Sequence, residues 1–269
     1  MLAPEVSIFL ICIMLGSVVG LSAGLLGIGG GLIVVPALTY LLSYFLGITP
    51  FDAITIAIAT SLSTIILTGL SSSRAHYQLG NLEFKTIFFT GLGIAVGAVA
   101  GGLFATSIDG QLLKGIFAVL VILVALYMIF GKKTASRFSV NRPLLSFIGL
   151  KTGFISAMMG IGGGAILVPA MMFFQIDMRR AIGCASVSGL IIALFGTASF
   201  VIAGWSLPDL PPYSMGYVYL PATVGIVLSS VFTAPIGAKM GQTMDTQKLK
   251  RIFAIFLVLV SIRMLIGIL

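Results

Sequence analysis

Two short glycine-rich stretches carry the only repeated chemistry in this chain. Gly27, Gly29, Gly30 and Gly31 form one Gly-Ile-Gly-Gly-Gly element, and Gly160, Gly162, Gly163 and Gly164 form the other. Each is followed, after four apolar residues, by a proline, Pro36 or Pro169. Glycine has no side chain to react, so whatever these stretches do is done by backbone. A helix that restarts after Gly31 or Gly164 turns its free N–H groups and its positive dipole end towards the break. That end is an anion site without any charged side chain. Two such ends meeting from opposite directions would clamp a small oxyanion, and each proline would kink the helix or free a carbonyl behind the break. The competing reading is close helix packing, which glycine also serves.

Hydroxyls form a second layer. Ser61 and Ser186 follow the two Gly-Pro elements at similar distance, with Thr60 beside the first. They are placed to donate to an anion or to bond their own i−4 carbonyls. Lys151 lies about 12 Å along its segment by helical rise. There it is either an intramembrane functional group or a side chain that snorkels to the face where Arg142 lies. Arg74 and His76 sit together at a helix end and read as headgroup contacts, with substrate entry or gating as the alternative. For catalysis the inventory is poor: one histidine, no His-Glu-x-x-His, and every acid at a segment end or in a loop. Neither catalytic residues nor a metal site nor a cofactor is expected. Cys12 and Cys184 lie in apolar runs without CxxC spacing, so no disulfide framework follows.

The elements that must hold these residues are membrane helices. Charged residues make up 8% of 269 positions and hydrophobic ones 59%, with a mean hydropathy of +1.20. A soluble domain carries roughly 25% charged residues, so the solvent for this chain is a lipid bilayer. The net charge of +8 sits singly or in pairs at the edges of apolar runs, a topology signal that excludes nucleic acid as a partner. No basic stretch precedes the first apolar run, which is therefore expected to be a helix of the mature protein.

About ten helical segments are predicted, over 6–26, 31–46, 51–71, 84–106, 111–131, 143–159, 164–176, 180–203, 216–239 and 248–268. The second, sixth and seventh are short and flank the glycine stretches, as half-helices or re-entrant elements would. With the N-terminus outside, twelve Lys and Arg residues fall on the cytoplasmic side. Only Lys114 and Arg263 fall outside, so the positive-inside rule places both termini outside. Trp205, Tyr213, Tyr217 and Tyr219 read as an interfacial aromatic belt. Gly16, Gly20 and Gly24, like Gly93, Gly97 and Gly101, have the four-residue spacing of helix-packing seams.

Positions 20–38 and 153–171 match at a constant offset, ten of nineteen being identical. Five segments per copy is an odd number, so the second copy is expected upside down relative to the first. The fold class is therefore all-α and polytopic, in two inverted five-segment repeats with broken helices, an architecture of secondary transporters. The expected division is 1–131 for the N-terminal repeat, 132–142 for a basic cytoplasmic loop and 143–269 for the C-terminal repeat.

The paired G-x-G-G-G-x(4)-P element, the Ala59-Thr60-Ser61-Leu62 stretch and the Arg74-Ala75-His76 to Gly80 region together resemble the sulfite exporter TauE/SafE family, also called the 4-toluene sulfonate uptake permease family. The resemblance covers the whole chain. In the second copy Cys184-Ala185-Ser186-Val187 stands in place of A-T-S-L. The family implies movement of sulfite, sulfonate, thiosulfate or sulfo-acid anions across a bacterial inner membrane. With a negative interior, anion efflux is favoured by about 2.3 kcal/mol per charge per 100 mV, and no acid is placed as a proton relay, so efflux is the expected direction. A selective anion channel, or an uptake carrier coupled to H⁺ or Na⁺, is the alternative. The expected partners are a small anion and the bilayer; sequence leaves the oligomeric state open.

Overall fold

The computed structural model describes residues 3–130, 142–174 and 176–243. The predicted tenth segment, with Lys248, Lys250, Arg251 and Arg263, lies outside the described residues, as do Lys132, Lys133 and Arg137. Nine helices occupy the other nine predicted places: α1 (Pro4–Leu26), α2 (Gly31–Leu46), α3 (Pro50–Gln78), α4 (Phe84–Ser107), α5 (Gly110–Phe130), α6 (Arg142–Met159), α7 (Gly164–Phe173), α8 (Met178–Gly204) and α9 (Leu220–Thr243). The protein is an all-α polytopic membrane protein; α1, α3, α4, α8 and α9 are each long and apolar enough to cross a bilayer.

Backbone-to-backbone approach at glycine sets how the helices pair. Cβ atoms on Gly16, Gly20 and Gly24 of α1 would overlap the carbonyls of Ile226, Ser230 and Ala234 of α9. Gly93, Gly97 and Gly101 of α4 meet the carbonyls of Ser146, Leu150 and Phe154 of α6 in the same way. Both expected seams are packing seams, and in each the partners advance together, so the paired helices are parallel. Hydroxyls join α3 to α9, also in parallel, through Ser63 with Thr223 at 2.7 Å, Thr68 with Ser230 at 2.6 Å and Ser71 to the Val231 carbonyl at 2.7 Å. Between α3 and α8 the order reverses: Gly196 faces Leu62 and Gly69 faces Leu190. Thus α1, α3 and α9 run one way and α4, α6 and α8 the other, as a chain that turns back at every connection requires.

Exchanging α1 with α6, α2 with α7, α3 with α8 and α4 with α9 carries these packing pairs onto one another and reverses every direction. The centre of this exchange is the antiparallel α3–α8 pair, and the breaks lie beside it. A Cβ on Gly29 would stand 3.2 Å from Ile65, near the middle of α3, and one on Gly189, near the middle of α8, 2.6 Å from the Gly162 carbonyl. Both breaks are therefore at mid-depth. From there α2, with 16 residues, extends about 24 Å and α7, with ten, about 15 Å. The latter is half a hydrocarbon core of about 30 Å. By contrast α6, also expected to be short, has 18 residues, roughly 27 Å of helix.

Three local expectations are corrected. The polar run after residue 71 reads as a loop, yet α3 continues through Arg74 and His76 to Gln78. Neighbouring helices take up its polar groups: Ser71 bonds α9, Ser72 reaches Ser186 of α8, and His76 reaches Gly24 of α1. The ninth helix starts at Leu220 rather than 216, because residues 214–219 form a small antiparallel hairpin with Tyr213 and Gly216 at positive φ. That hairpin carries Tyr219 inward. Trp205 and Tyr213 are exposed, but Tyr219 is wholly buried and belongs to the core, not to an aromatic belt.

Candidate functional site

Each glycine element is an interruption between helices with a left-handed backbone. Gly27 (φ 66°), Gly29 (75°) and Gly30 (77°) link α1 to α2, while Gly160 (68°) and Gly163 (74°) link α6 to α7. This region is costly for any residue with a Cβ. Gly30 and Gly163 are the residues from which α2 and α7 restart, without a capping side chain. Among the described residues, the N–H groups of Gly30, Gly31 and Leu32, and those of Gly163, Gly164 and Ala165, donate to no protein acceptor. These are the unsatisfied donors of two helix N-termini, all in buried residues.

The two interruptions touch. The N–H of Gly162 donates to the Ile28 carbonyl at 3.0 Å. A Cβ on Gly29 would lie 2.8 Å from the Cα of Gly162, and one on Gly162 would lie 2.9 Å from the Cα of Gly29. These equivalent residues of the two copies meet at the centre of the exchange. On either side, a Cβ on Gly31 would overlap the Gly160 carbonyl and one on Gly164 the Gly27 carbonyl. In this conformation an anion has no room between Gly29 and Gly162. The open N–H groups lie beside them, at the two helix starts.

The other candidates divide. Ser61 donates to the Gly160 carbonyl at 2.7 Å, so it holds the opposite copy's break in place. Ser186 donates to its own i−4 carbonyl, Ile182, at 3.1 Å and accepts from Ser72 at 3.3 Å. Thr60 accepts the Tyr219 N–H at 2.9 Å, tying α3 to the hairpin. Pro36 and Pro169 lie inside α2 and α7, where the missing N–H leaves the Leu32 and Ala165 carbonyls without a helical donor. Arg74 and Lys151 are exposed, and Lys151 Nζ lies 4.5 Å from the Phe147 ring centroid, one turn back towards Arg142. His76 is not a headgroup contact. It is 4% exposed, its Nε2 lies 3.1 Å from the Gly24 carbonyl, and its Nδ1 lies 3.3 Å from the Asn81 amide. A neutral ring protonated on Nε2 satisfies both partners.

Two residues singled out by nothing in the motif stand beside the second break. Thr152 and Ser156, one turn apart on α6, are 1% and 0% exposed, and neither hydroxyl has a hydrogen-bond partner among the described residues. A Cβ on Gly163 would stand 3.6 Å from Thr152 Cγ2 and 3.8 Å from Ser156 Oγ. At the first break the corresponding glycine, Gly30, faces Val19, whose Cγ1 fills that space. The sequence signal was the offset itself: Thr152 and Ser156 replace Val19 and Ala23 of the first copy.

Residues 12–264 match the family model described as sulfite exporter TauE/SafE. A Haemophilus influenzae protein named a probable membrane transporter protein is 37% identical over 257 residues, covering 95% of this chain and 97% of its own. Relatives given the same description in Methanocaldococcus jannaschii and Bacillus subtilis are 28% and 26% identical, each over at least 94% of both chains. No solved structure matches. A match over nearly the whole length, on a chain whose two glycine breaks meet at mid-depth, places it without ambiguity: it belongs to the sulfite exporter TauE/SafE family.

Proposed function

We propose that this chain is a carrier that exports small sulfur-containing or organic anions, of the sulfite, sulfonate, thiosulfate or sulfo-acid kind, across a bacterial inner membrane. The observation that carries the reading is the contact of two helix starts at mid-depth, each with unspent backbone donors. Irregular backbone at such depth persists where protein or a polar cavity satisfies it, and a helix N-terminus is suited to negative charge. Two inverted repeats, 1–131 and 143–269 around a basic cytoplasmic loop, would supply alternate access by rocking against each other. The packing pairs support this because they exchange while every helix direction reverses. Both termini lie outside in this reading, as the distribution of Lys and Arg indicates.

Efflux is the direction the membrane potential favours, by about 2.3 kcal/mol per charge per 100 mV. None of the described Asp or Glu residues is buried, which leaves that part of the chain without a carboxylate proton relay. The test is counterflow in proteoliposomes. Vesicles loaded with unlabelled sulfite, thiosulfate or methanesulfonate should accumulate the labelled anion, and an inside-negative potential should accelerate net exit. Absence of exchange for all three anions, with protein shown to be inserted and folded, would refute the function. Exit slowed by that potential would refute the direction.

A further inference from the structure

Two helix starts of equal standing face the bilayer centre, but their surroundings are unequal. The start of α2 faces the side chain of Val19. The start of α7 faces the Ser156 hydroxyl and the methyl of Thr152, and the hydroxyls of both residues are buried with no partner among the described residues. Buried hydroxyls are almost always bonded, and a pair left open beside three unspent N–H groups points to a ligand that completes them. We propose that Thr152 and Ser156, with the backbone N–H groups of Gly163, Gly164 and Ala165, form the oxyanion subsite of this transporter, in the C-terminal half alone. The inference rests on the anion-carrier reading and locates its substrate.

The donor set fixes the class of ligand. All five donors are neutral, and the basic residues near this depth are turned away: Lys151, next in sequence to Thr152, is exposed and lies over Phe147. A cluster of neutral donors stabilises one delocalised negative charge. A dianion would bring twice the charge, and a desolvation cost rising with its square, to the same five groups. Of the anions proposed above, the subsite therefore favours those carrying a singly charged XO₃⁻ group, bisulfite and the small monosulfonates, over the dianion thiosulfate, and it discriminates against sulfate. Ile192 Cδ1 covers Gly163, within 2.6 Å of where its Cβ would be, so entry requires that terminal methyl to swing aside. It is the far end of a flexible side chain, and the movement is small.

Calorimetric titration of purified full-length protein in nanodiscs tests this, with bisulfite and methanesulfonate as probes and sulfate as the contrast. Thr152→Val with Ser156→Ala should weaken binding of the monoanions by roughly a hundredfold. A hydrogen bond to a charged group accounts for about a decade of affinity or more. Thr152→Ser, which keeps the hydroxyl, should stay within a fewfold of wild type. So should Ser22→Ala, whose hydroxyl bonds the Val18 carbonyl on α1 at 2.8 Å. An unchanged affinity in the double variant, with wild type binding normally, overturns the subsite and leaves the carrier reading standing. Sulfate binding as tight as bisulfite overturns the charge selectivity. Wild type that binds neither probe sinks the carrier reading and the subsite with it.

Discussion

Removing a buried hydroxyl should destabilise this protein at one place and stabilise it at another, and the structure fixes which. Thr68 of α3 and Ser230 of α9 are wholly buried and 2.6 Å apart. Thr68→Val keeps the shape and breaks that bond. Side-chain hydrogen bonds between membrane helices average about 0.6 kcal/mol and reach about 1.7 kcal/mol, so a loss in that range is expected. Thr152 and Ser156 are equally buried but unpaired. An unsatisfied buried polar group costs about 1–3 kcal/mol, so Thr152→Val with Ser156→Ala should stabilise the ligand-free protein by about 2 kcal/mol at the lower end. Reversible unfolding in mixed micelles, titrated with a denaturing detergent, resolves differences of this size. Adding bisulfite at about a hundred times its dissociation constant should then stabilise wild type by about 2.7 kcal/mol and the double variant hardly at all. The advantage of the double variant over wild type would shrink by about 2 kcal/mol between the two conditions. If instead the double variant loses stability as Thr68→Val does, both hydroxyls are bonded in the resting protein and are not open to a ligand.

Two further outcomes follow from the same geometry. Gly31→Ala and Gly164→Ala each place a methyl against a backbone carbonyl of the opposite break. Backbone has less room to yield than a side chain, so each should cost at least the 1–3 kcal/mol typical of overpacking, and thermal unfolding in detergent should show the two losses to be similar. Lys151→Met should leave bisulfite affinity within a factor of two, because the exposed ammonium faces Phe147 rather than the break; a tenfold loss by titration would return Lys151 to the site.

Much of the architecture was legible because apolar length and small-residue spacing are direct statements about a bilayer. The seams at Gly16–Gly24 and Gly93–Gly101 needed only the four-residue period, and the two breaks needed only glycines where a helix should not hold them. What was not legible depended on partners distant in sequence. His76 looks like a surface residue until α1 supplies the Gly24 carbonyl. The last turns of α3 look like a loop until Ser71 and Ser72 find α9 and α8. Tyr219 has the composition of an interfacial residue, and only the turn at Tyr213 and Gly216 sends it inward. Ser61 was expected at an anion or on its own helix; its bond to Gly160, 99 positions away, depends on how the two breaks cross. Thr152 and Ser156 differ from Val19 and Ala23 at the repeat offset, but that difference becomes a candidate site only once Gly163 is seen beside it.

The unequal linings also bear on why both breaks are kept. A helix start that binds anion would seem to need one interruption, yet the first break makes no hydroxyl-lined site. Its contribution is to the second. The Ile28 carbonyl accepts the Gly162 N–H, the Gly27 carbonyl lies against Gly164, and Ser61 of the first copy holds the Gly160 carbonyl. The two hydrogen bonds among these contacts take up the Gly162 N–H and the Gly160 carbonyl, and leave the N–H groups at the start of α7 unspent. Stripped of the first break, the second would lose the acceptor of its Gly162 N–H, a buried backbone group that costs on the order of a kcal/mol or more when left unpaired. On the proposed subsite, duplication gives the two copies different work on one scaffold: one break supports and the other would bind. A rocking motion that separates them would loosen the Ile28–Gly162 bond and the N–H groups of Gly163, Gly164 and Ala165 together.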